Sequence, residues 1–156
     1  MSFEDCRNLS DDAVAHISAC RGLTAVDLSG VTRLTDLAGA FLAKLPRLAH
    51  VHLRRCWHIT DATAMHLAKC GQLKTVDFED CVKLTAKAAE FVSQCKELQT
   101  LSLRRCAKLT DAALAHLVKC PELQNLDLGG NGPLAAFLKI KCVSSEICAA
   151  KLVDSQ

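Results

Sequence analysis

The stretch that decides the fold is Cys95-Lys-Glu-Leu98-Gln-Thr-Leu101-Ser-Leu103-Arg-Arg-Cys106-Ala-Lys-Leu109-Thr-Asp111. Leu101 and Leu103 alternate with polar residues, which is typical of a short strand with one buried face. Thr110 is a favourable helix N-cap and Asp111 suits the positive first turn, so about nine helical residues are expected to follow. The stretch predicts one strand followed by one short helix.

The same pattern recurs along the chain at a period of 25 residues, without insertions. Eight cysteines occupy two positions of the period: Cys20, Cys70, Cys95 and Cys120 at one, and Cys6, Cys56, Cys81 and Cys106 at the other. A leucine column keeps the same step: Leu23, Leu48, Leu73, Leu98 and Leu123. Units this short bury their apolar faces only against their neighbours, so the period predicts a solenoid.

The pattern C-x-x-L-x-x-L-x-L-x-x-C-x-x-L-T-D, which runs from Cys95 to Asp111, resembles the cysteine-containing leucine-rich repeat. This repeat occurs in the receptor half of F-box ubiquitin-ligase proteins and in related short repeat proteins. The resemblance covers residues 1 to about 135 and implies a curved α/β leucine-rich-repeat solenoid of five to six repeats. It also implies parallel strands on the concave face, helices on the convex face, and protein binding as the usual role.

The two ends of the chain differ. Met1 and Phe3 fall in apolar strand columns, so the chain begins within a repeat strand, and we expect this N-terminal edge to be uncapped. Such an edge offers a contact to another subunit or to a second copy. Asn131 replaces cysteine, which suggests that the regular repeat is ending there. We therefore assign the solenoid to residues 1–133, and the amphipathic spacing of residues 134–156 predicts a helical capping segment.

Composition excludes several classes of function. Nineteen Lys and Arg against seventeen Asp and Glu leave a net charge of +2, too balanced for nucleic-acid binding through bulk charge. Aromatic residues make up 4% of the chain, so stacking platforms for single strands are scarce. No apolar run approaches the roughly 18 residues of a membrane span. We expect no nucleic-acid partner and no membrane association.

Ten cysteines are many for a chain with three Pro and seven Gly. Disulfide-stabilised secreted domains are rich in loops, and this sequence is poor in turn residues. No C-x-x-C occurs, although structural zinc sites usually place ligands two to four residues apart. We interpret the repeat cysteines as small, buried, reduced core residues. We therefore expect no metal, no cofactor and a reducing compartment, cytoplasmic or nuclear, with disulfide or metal chemistry as the alternatives.

The candidate partner-binding residues flank the buried pair of each strand and point to the opposite, exposed face. They are His50, His52, Arg54, Arg55, Asp77, Glu79, Asp80, Arg104 and Arg105. Parallel strands lie roughly 4.8 Å apart, so residues 79–80 are expected between the arginine pairs at 54–55 and 104–105. One interpretation is a set of self-satisfied ion pairs, each worth about 0–1 kcal/mol. The other is a footprint in which arginine forks bind a partner's carboxylates or phosphates.

Two further features of the sequence each have two interpretations. His52 is expected between Asp27 and Asp77, which would favour its charged form and a pH-sensitive contact. Together with His50, these residues are also a candidate for a divalent metal. Trp57 belongs to a loop rim with a basic stripe, where it is either an interface hot spot or a cover for the end of the strand layer.

We predict a non-catalytic protein-interaction module that binds a protein partner through its concave strand face. No serine or cysteine nucleophile is expected in a pocket, so an enzyme is not expected. The resemblance further implies a substrate-recognition or regulatory part of a ubiquitin-ligase system. The alternative is an architectural subunit of a larger assembly, docked through the N-terminal edge, and a catalytic or metal-dependent role comes third.

Overall fold

The computed structural model describes residues 1–132, in which five short helices alternate with five short strands. The helices are α1 (Asp11–Ile17), α2 (Asp36–Leu42), α3 (Asp61–Leu67), α4 (Ala86–Val92) and α5 (Ala112–Leu117). The strands are β1 (Ala25–Asp27), β2 (His50–His52), β3 (Thr75–Asp77), β4 (Thr100–Ser102) and β5 (Asn125–Asp127). The helices have six or seven residues, which is shorter than the sequence predicted.

The strands form one parallel sheet in the order β1-β2-β3-β4-β5. Every pair is in the 25-residue register, as in the pairing of His50 with Thr75. The first residues continue the ladder, because Ser2 bridges Asp27 and the Phe3 N–H donates to the Asp27 carbonyl. The sheet and its alternating helices confirm the predicted α/β repeat solenoid.

The core lies between the sheet and the helices. Each strand buries its central residue, and the residue that follows the strand is buried as well, as Val76 and Phe78 show. Each helix turns one face inward, as in α5, where Ala113 and Leu117 are buried. Val118, the residue just past the end of α5, is 56% exposed.

Hydrogen bonds between neighbouring repeats fix the helix starts. Thr35, Thr60 and Thr85 act as N-caps, and each side chain accepts the N–H two residues on. The aspartate that opens the preceding helix binds the same threonine; Asp61, for example, accepts from the Thr85 N–H at 2.8 Å and from its hydroxyl at 2.7 Å. These aspartates therefore act across repeats, beyond the predicted interaction with their own helix dipole.

The aspartate–threonine contact is missing between α4 and α5, and its absence explains why the predicted start of α5 is wrong. The residue that opens α4 is Ala86, so no carboxylate is available to hold Thr110 in the next repeat. Helix α5 begins one residue later than predicted, and Asp111 occupies the N-cap position without a side-chain cap hydrogen bond.

Asp36 makes the largest set of cross-repeat contacts. It accepts the N–H and hydroxyl of Thr60, and also the N–H and hydroxyl of Thr63. The Thr63 side chain is fully buried, so Asp36 supplies the partner that its hydroxyl needs. Burial would raise the pKa of Asp36, but the hydrogen bonds from Thr63 and Thr60 outweigh it and lower that pKa.

Three repeat cysteines join the same system of contacts. The thiols of Cys56, Cys81 and Cys106 donate to a strand carbonyl of the preceding repeat at 3.4, 3.0 and 3.2 Å. Asn131, the next residue in this column, donates to the Leu103 carbonyl at 2.8 Å. Asn131 therefore makes the contact that cysteine makes in the earlier repeats, and the end of the regular repeat near this residue stays a prediction.

The expectation that all eight repeat cysteines are buried is wrong for two of them. Cys56, Cys70, Cys81, Cys95, Cys106 and Cys120 are buried, whereas Cys6 and Cys20 are exposed. Both belong to the first repeat, and within residues 1–132 no further repeat packs on its outer side. All eight are free thiols.

Within residues 1–132, no helix has the length and apolar character needed to cross a membrane. The capping segment predicted for residues 134–156 lies outside the described residues. The contact between the N-terminal edge and another subunit stays a prediction.

We expect Asp36→Ala to lower the free energy of unfolding by about 2 kcal/mol, because it leaves the buried Thr63 hydroxyl without an acceptor. The matched control is Asp61→Ala, which loses only its two bonds to Thr85 and should cost about 1 kcal/mol. Urea unfolding measures both values. The Asp36 contribution is present above the unfolded-state pKa and should be lost as the pH falls below about 4. Equal costs for the two variants would contradict the assignment.

Native thiol labelling, read by peptide mass spectrometry, should separate the repeat cysteines into a fast-reacting and a slow-reacting group. Cys6 and Cys20 should react quickly because they are exposed. Burial raises the pKa of Cys56 and Cys106 to about 12, so these thiols should react only in denaturant. Rapid native labelling at either buried site would contradict the packing.

Candidate functional site

The exposed face of the sheet, here called the strand face, carries the predicted site residues. Each strand places its first and third residues on this face, with the buried residue between them. Asp27, Asp77 and Asp127 each accept the backbone N–H two residues on, at 3.0, 3.0 and 2.8 Å. These aspartates therefore close the turn that follows each strand, in addition to facing solvent.

Ion pairs across three repeats surround Glu79. We call this group the Glu79 cluster: Arg54, Asp77, Glu79, Asp80, Arg104 and Arg105. Arg54 pairs with Glu79 from one side, and Arg104 Nε lies 3.5 Å from Glu79 Oε1 on the other. Arg105 Nη1 lies 3.7 Å from Asp80 Oδ2. The predicted alternation of charge across the repeats therefore exists in the folded chain.

Burial within the Glu79 cluster is uneven. The Glu79 side chain is 14% exposed, whereas the side chains of Arg54 and Arg105 are 45% and 55% exposed. Pairs this exposed contribute about 0–1 kcal/mol each to stability. The ion pairs instead fix side-chain positions. The Glu79 carboxylate holds arginine side chains whose other faces contact solvent.

His52 extends this arrangement toward β1. Its Nδ1 lies 3.7 Å from Asp77 Oδ2, and this contact raises the pKa of His52, with a smaller contribution from Asp27. Burial would raise the pKa of Asp77, but the contact with His52, the Glu79 N–H and Arg54 lower it. The pair therefore favours a charged histidine beside a charged carboxylate.

His50 is engaged elsewhere, because its Nδ1 lies 3.0 Å from the Thr75 hydroxyl oxygen. In the part of the chain that the structure describes, no group of three His, Cys, Asp or Glu side chains is placed to hold a metal ion.

The structure separates Arg55 and Trp57 from the Glu79 cluster. Arg55 has φ 58°, in the left-handed region, and its side chain makes no ion pair with Asp80 or any other residue in 1–132. Trp57 is 50% exposed. A pocket on the loop rim, here called the Trp57 pocket, contains both; its lining is Asp5, Arg7, Gly30, Thr32, Arg55 and Trp57.

Sequence reasoning missed two groups of residues at these sites. Asp127 joins the Glu79 cluster through Arg104, at 3.9 Å, and it stands in the same strand column as Asp77. Asp5 and Gly30 shape the Trp57 pocket from the column of Arg55. The signal that could have found Asp5 and Gly30 is a glycine between two larger residues in one column.

The 25-residue step, the parallel ladder and the inward cysteine and leucine columns define the class of fold, an α/β leucine-rich-repeat solenoid. No family model and no curated protein matches the chain. Among solved structures, a chain from the crystal structure of the yeast Rad7 and Elc1 complex is similar, with 23% sequence identity and a TM-score of 0.71. The similarity covers 85% of this chain and 37% of that one, and it shows a shared fold.

We expect Asp77→Asn to lower the pKa of His52, because the variant removes the carboxylate that raises it. Asparagine can still accept the Glu79 N–H, so the turn should survive. The matched control is Asp27→Asn, which removes only a smaller contribution to the pKa of His52. NMR titration of the His52 ring proton measures both values. An equal or larger decrease in the control would contradict the assigned pair.

Proposed function

We propose that this chain is a non-catalytic module that binds a protein partner through the strand face. The observation that carries the proposal is the Glu79 cluster, in which a largely buried carboxylate contacts the exposed Arg54 and the part-buried Arg104 and so fixes their positions. Arginine presents a planar fork of donors that suits carboxylates and phosphates. A side chain already held in place loses less conformational entropy when a partner binds.

The chemistry of this face supports polar recognition. The apolar strand residues, such as Val51, Val76 and Leu101, are buried on the other side of the sheet. The face therefore offers charge and hydrogen bonds, which favour specificity and fast association over a large apolar contact. Raising the salt concentration should slow association, since ions screen exposed charges.

The cysteines support a non-catalytic role. Burial raises the pKa of Cys56 to about 12 and that of Cys81 well above its usual value, which withholds the reactive thiolate. The described thiols are all free, and we place the chain in the cytoplasm or nucleus on that ground.

A role in a ubiquitin-ligase system, as a substrate-recognition or regulatory part, rests on the resemblance of the repeat to that of F-box receptors. The yeast Rad7 and Elc1 structure, a complex of two proteins, has the same fold and is consistent with partner binding. Its low identity leaves the partner of this chain to experiment.

The test compares two triple variants in quantitative affinity capture. Replacing the strand-face arginines by glutamine removes three charges: Arg54, Arg104 and Arg105. The matched control removes three exposed charges from the helix side of the molecule: Lys69, Lys87 and Lys119. We expect the first variant to lose its partner at least tenfold and the second to retain it.

Circular dichroism checks that both triple variants remain folded. The pairs of Arg54 and Arg105 are exposed and contribute little to stability, and Arg104→Gln keeps an amide donor beside the less exposed Glu79. Retention of every partner by the folded strand-face variant would refute the proposal. In the ubiquitin-ligase role, ubiquitylation of the captured partner should fall when the chain is removed. Unchanged ubiquitylation would refute the ubiquitin-ligase role and leave the proposal of partner binding in place.

A further inference from the structure

The Trp57 pocket exists because of the residues at two neighbouring columns. In the first column Gly30 stands between Asp5 and Arg55, and in the second Thr32 stands between Arg7 and Trp57. The middle repeat therefore contributes small side chains, while the repeats on both sides contribute large ones. Since strands lie roughly 4.8 Å apart, the two walls are about 10 Å apart, wide enough for one inserted side chain.

The backbone of this column does not by itself require glycine, since Asp5 and Arg55 share its left-handed conformation, but Gly30 adds no side chain to the floor of the pocket. Its φ of 73° is in the left-handed region, and a Cβ at this position would collide with the Asp5 carboxylate. Asp80 and Arg105 occupy this column in later repeats, and their side chains lie in contact with each other. The opening is thus confined to the first three repeats of the described residues.

The charge of the pocket is unbalanced. Arg7 and Arg55 contribute two positive charges and Asp5 one negative charge. Within residues 1–132 neither arginine has an ion-pair partner, unlike Arg54, Arg104 and Arg105 of the Glu79 cluster. The left-handed backbone does not distinguish Arg55, because Asp5, Asp80 and Arg105 share it in the same column.

Trp57 supplies the second kind of contact. Half of its surface is exposed beside Arg55, and an aromatic ring in such a place binds an apolar side chain well. With two arginines and one carboxylate in its lining, the pocket suits a single carboxylate better than a continuous row of phosphates.

We infer that the Trp57 pocket binds an acidic peptide segment of a partner protein, with a carboxylate between Arg7 and Arg55 and an adjacent apolar side chain on Trp57. This inference rests on the proposed protein-binding function and names the chemistry of one contact. Arginine forks pair with carboxylates in bidentate geometry, so the carboxylate gives orientation as well as affinity.

The chain contains one Trp and no Tyr, so its tryptophan emission reports on this pocket alone. The probe is a blocked peptide that alternates glutamate and leucine, and the reference peptide has glutamine in place of glutamate. We expect the acidic peptide to change Trp57 emission saturably and to bind at least tenfold more tightly than the reference. Equal affinities for the two peptides would overturn the inference.

Two variants and one control locate the contact. Arg55→Gln should weaken the acidic peptide about tenfold, or about 1.4 kcal/mol. Arg33→Gln, on the same rim but outside the pocket lining, should change the affinity less than twofold. Arg55→Gly should lose binding while its urea midpoint stays equal or rises, because glycine accepts the left-handed backbone.

An unchanged affinity in Arg55→Gln, or tighter binding of a single-stranded oligonucleotide than of the acidic peptide, would also overturn the inference. The outcomes separate from those of the proposed function, since the strand-face variant changes Arg54, Arg104 and Arg105 and leaves Arg55 in place. If that variant loses the natural partner and the unmodified chain binds no acidic peptide at Trp57, the inference about the Trp57 pocket is refuted and the strand-face proposal stands.

Discussion

The parallel ladder between neighbouring repeats is the constraint on which the rest of this structure depends. The same backbone bond recurs in each repeat: the Leu28 N–H donates to the His52 carbonyl, and the Leu53 N–H to the Asp77 carbonyl. A strand of three residues cannot satisfy its own backbone, so its polar groups need a neighbour displaced by 25 residues. One inserted residue would turn the buried column outward, which explains why the period has no insertions.

Side chains that act across repeats depend on the same register. Cys81 reaches the Leu53 carbonyl and Asp61 reaches Thr85 only because successive repeats superpose. These bonds add polar specificity to a core that apolar packing alone would hold less uniquely. Val31 shows that one repeat folds without the thiol contact, and Asn131 shows that a stronger donor can replace it.

The period made most of the fold predictable. It predicted the strand register, the buried columns and the position of Glu79 between Arg54 and Arg104. It could not predict how far a side chain reaches or which of two neighbours it contacts. We expect Arg55 beside Asp80, but Arg105, which has the same left-handed backbone, contacts Asp80 from the other side, and Arg55 lines the Trp57 pocket instead. Such outcomes depend on rotamers and backbone dihedrals that a residue column does not specify.

The inward columns fix the fold, and this leaves the outward columns free to vary from repeat to repeat. On the strand face that variation produced balanced charges around Glu79, so arginines there are held by their neighbours. On the rim it produced the opposite condition, with Arg7 and Arg55 unpaired within residues 1–132 beside an exposed Trp57. A balanced surface selects a partner through geometry, whereas an unbalanced pocket attracts the opposite charge. The two sites adjoin in the third repeat, where Arg54 belongs to the Glu79 cluster and Arg55 to the Trp57 pocket. A single partner that contacts both would therefore gain affinity from the linkage.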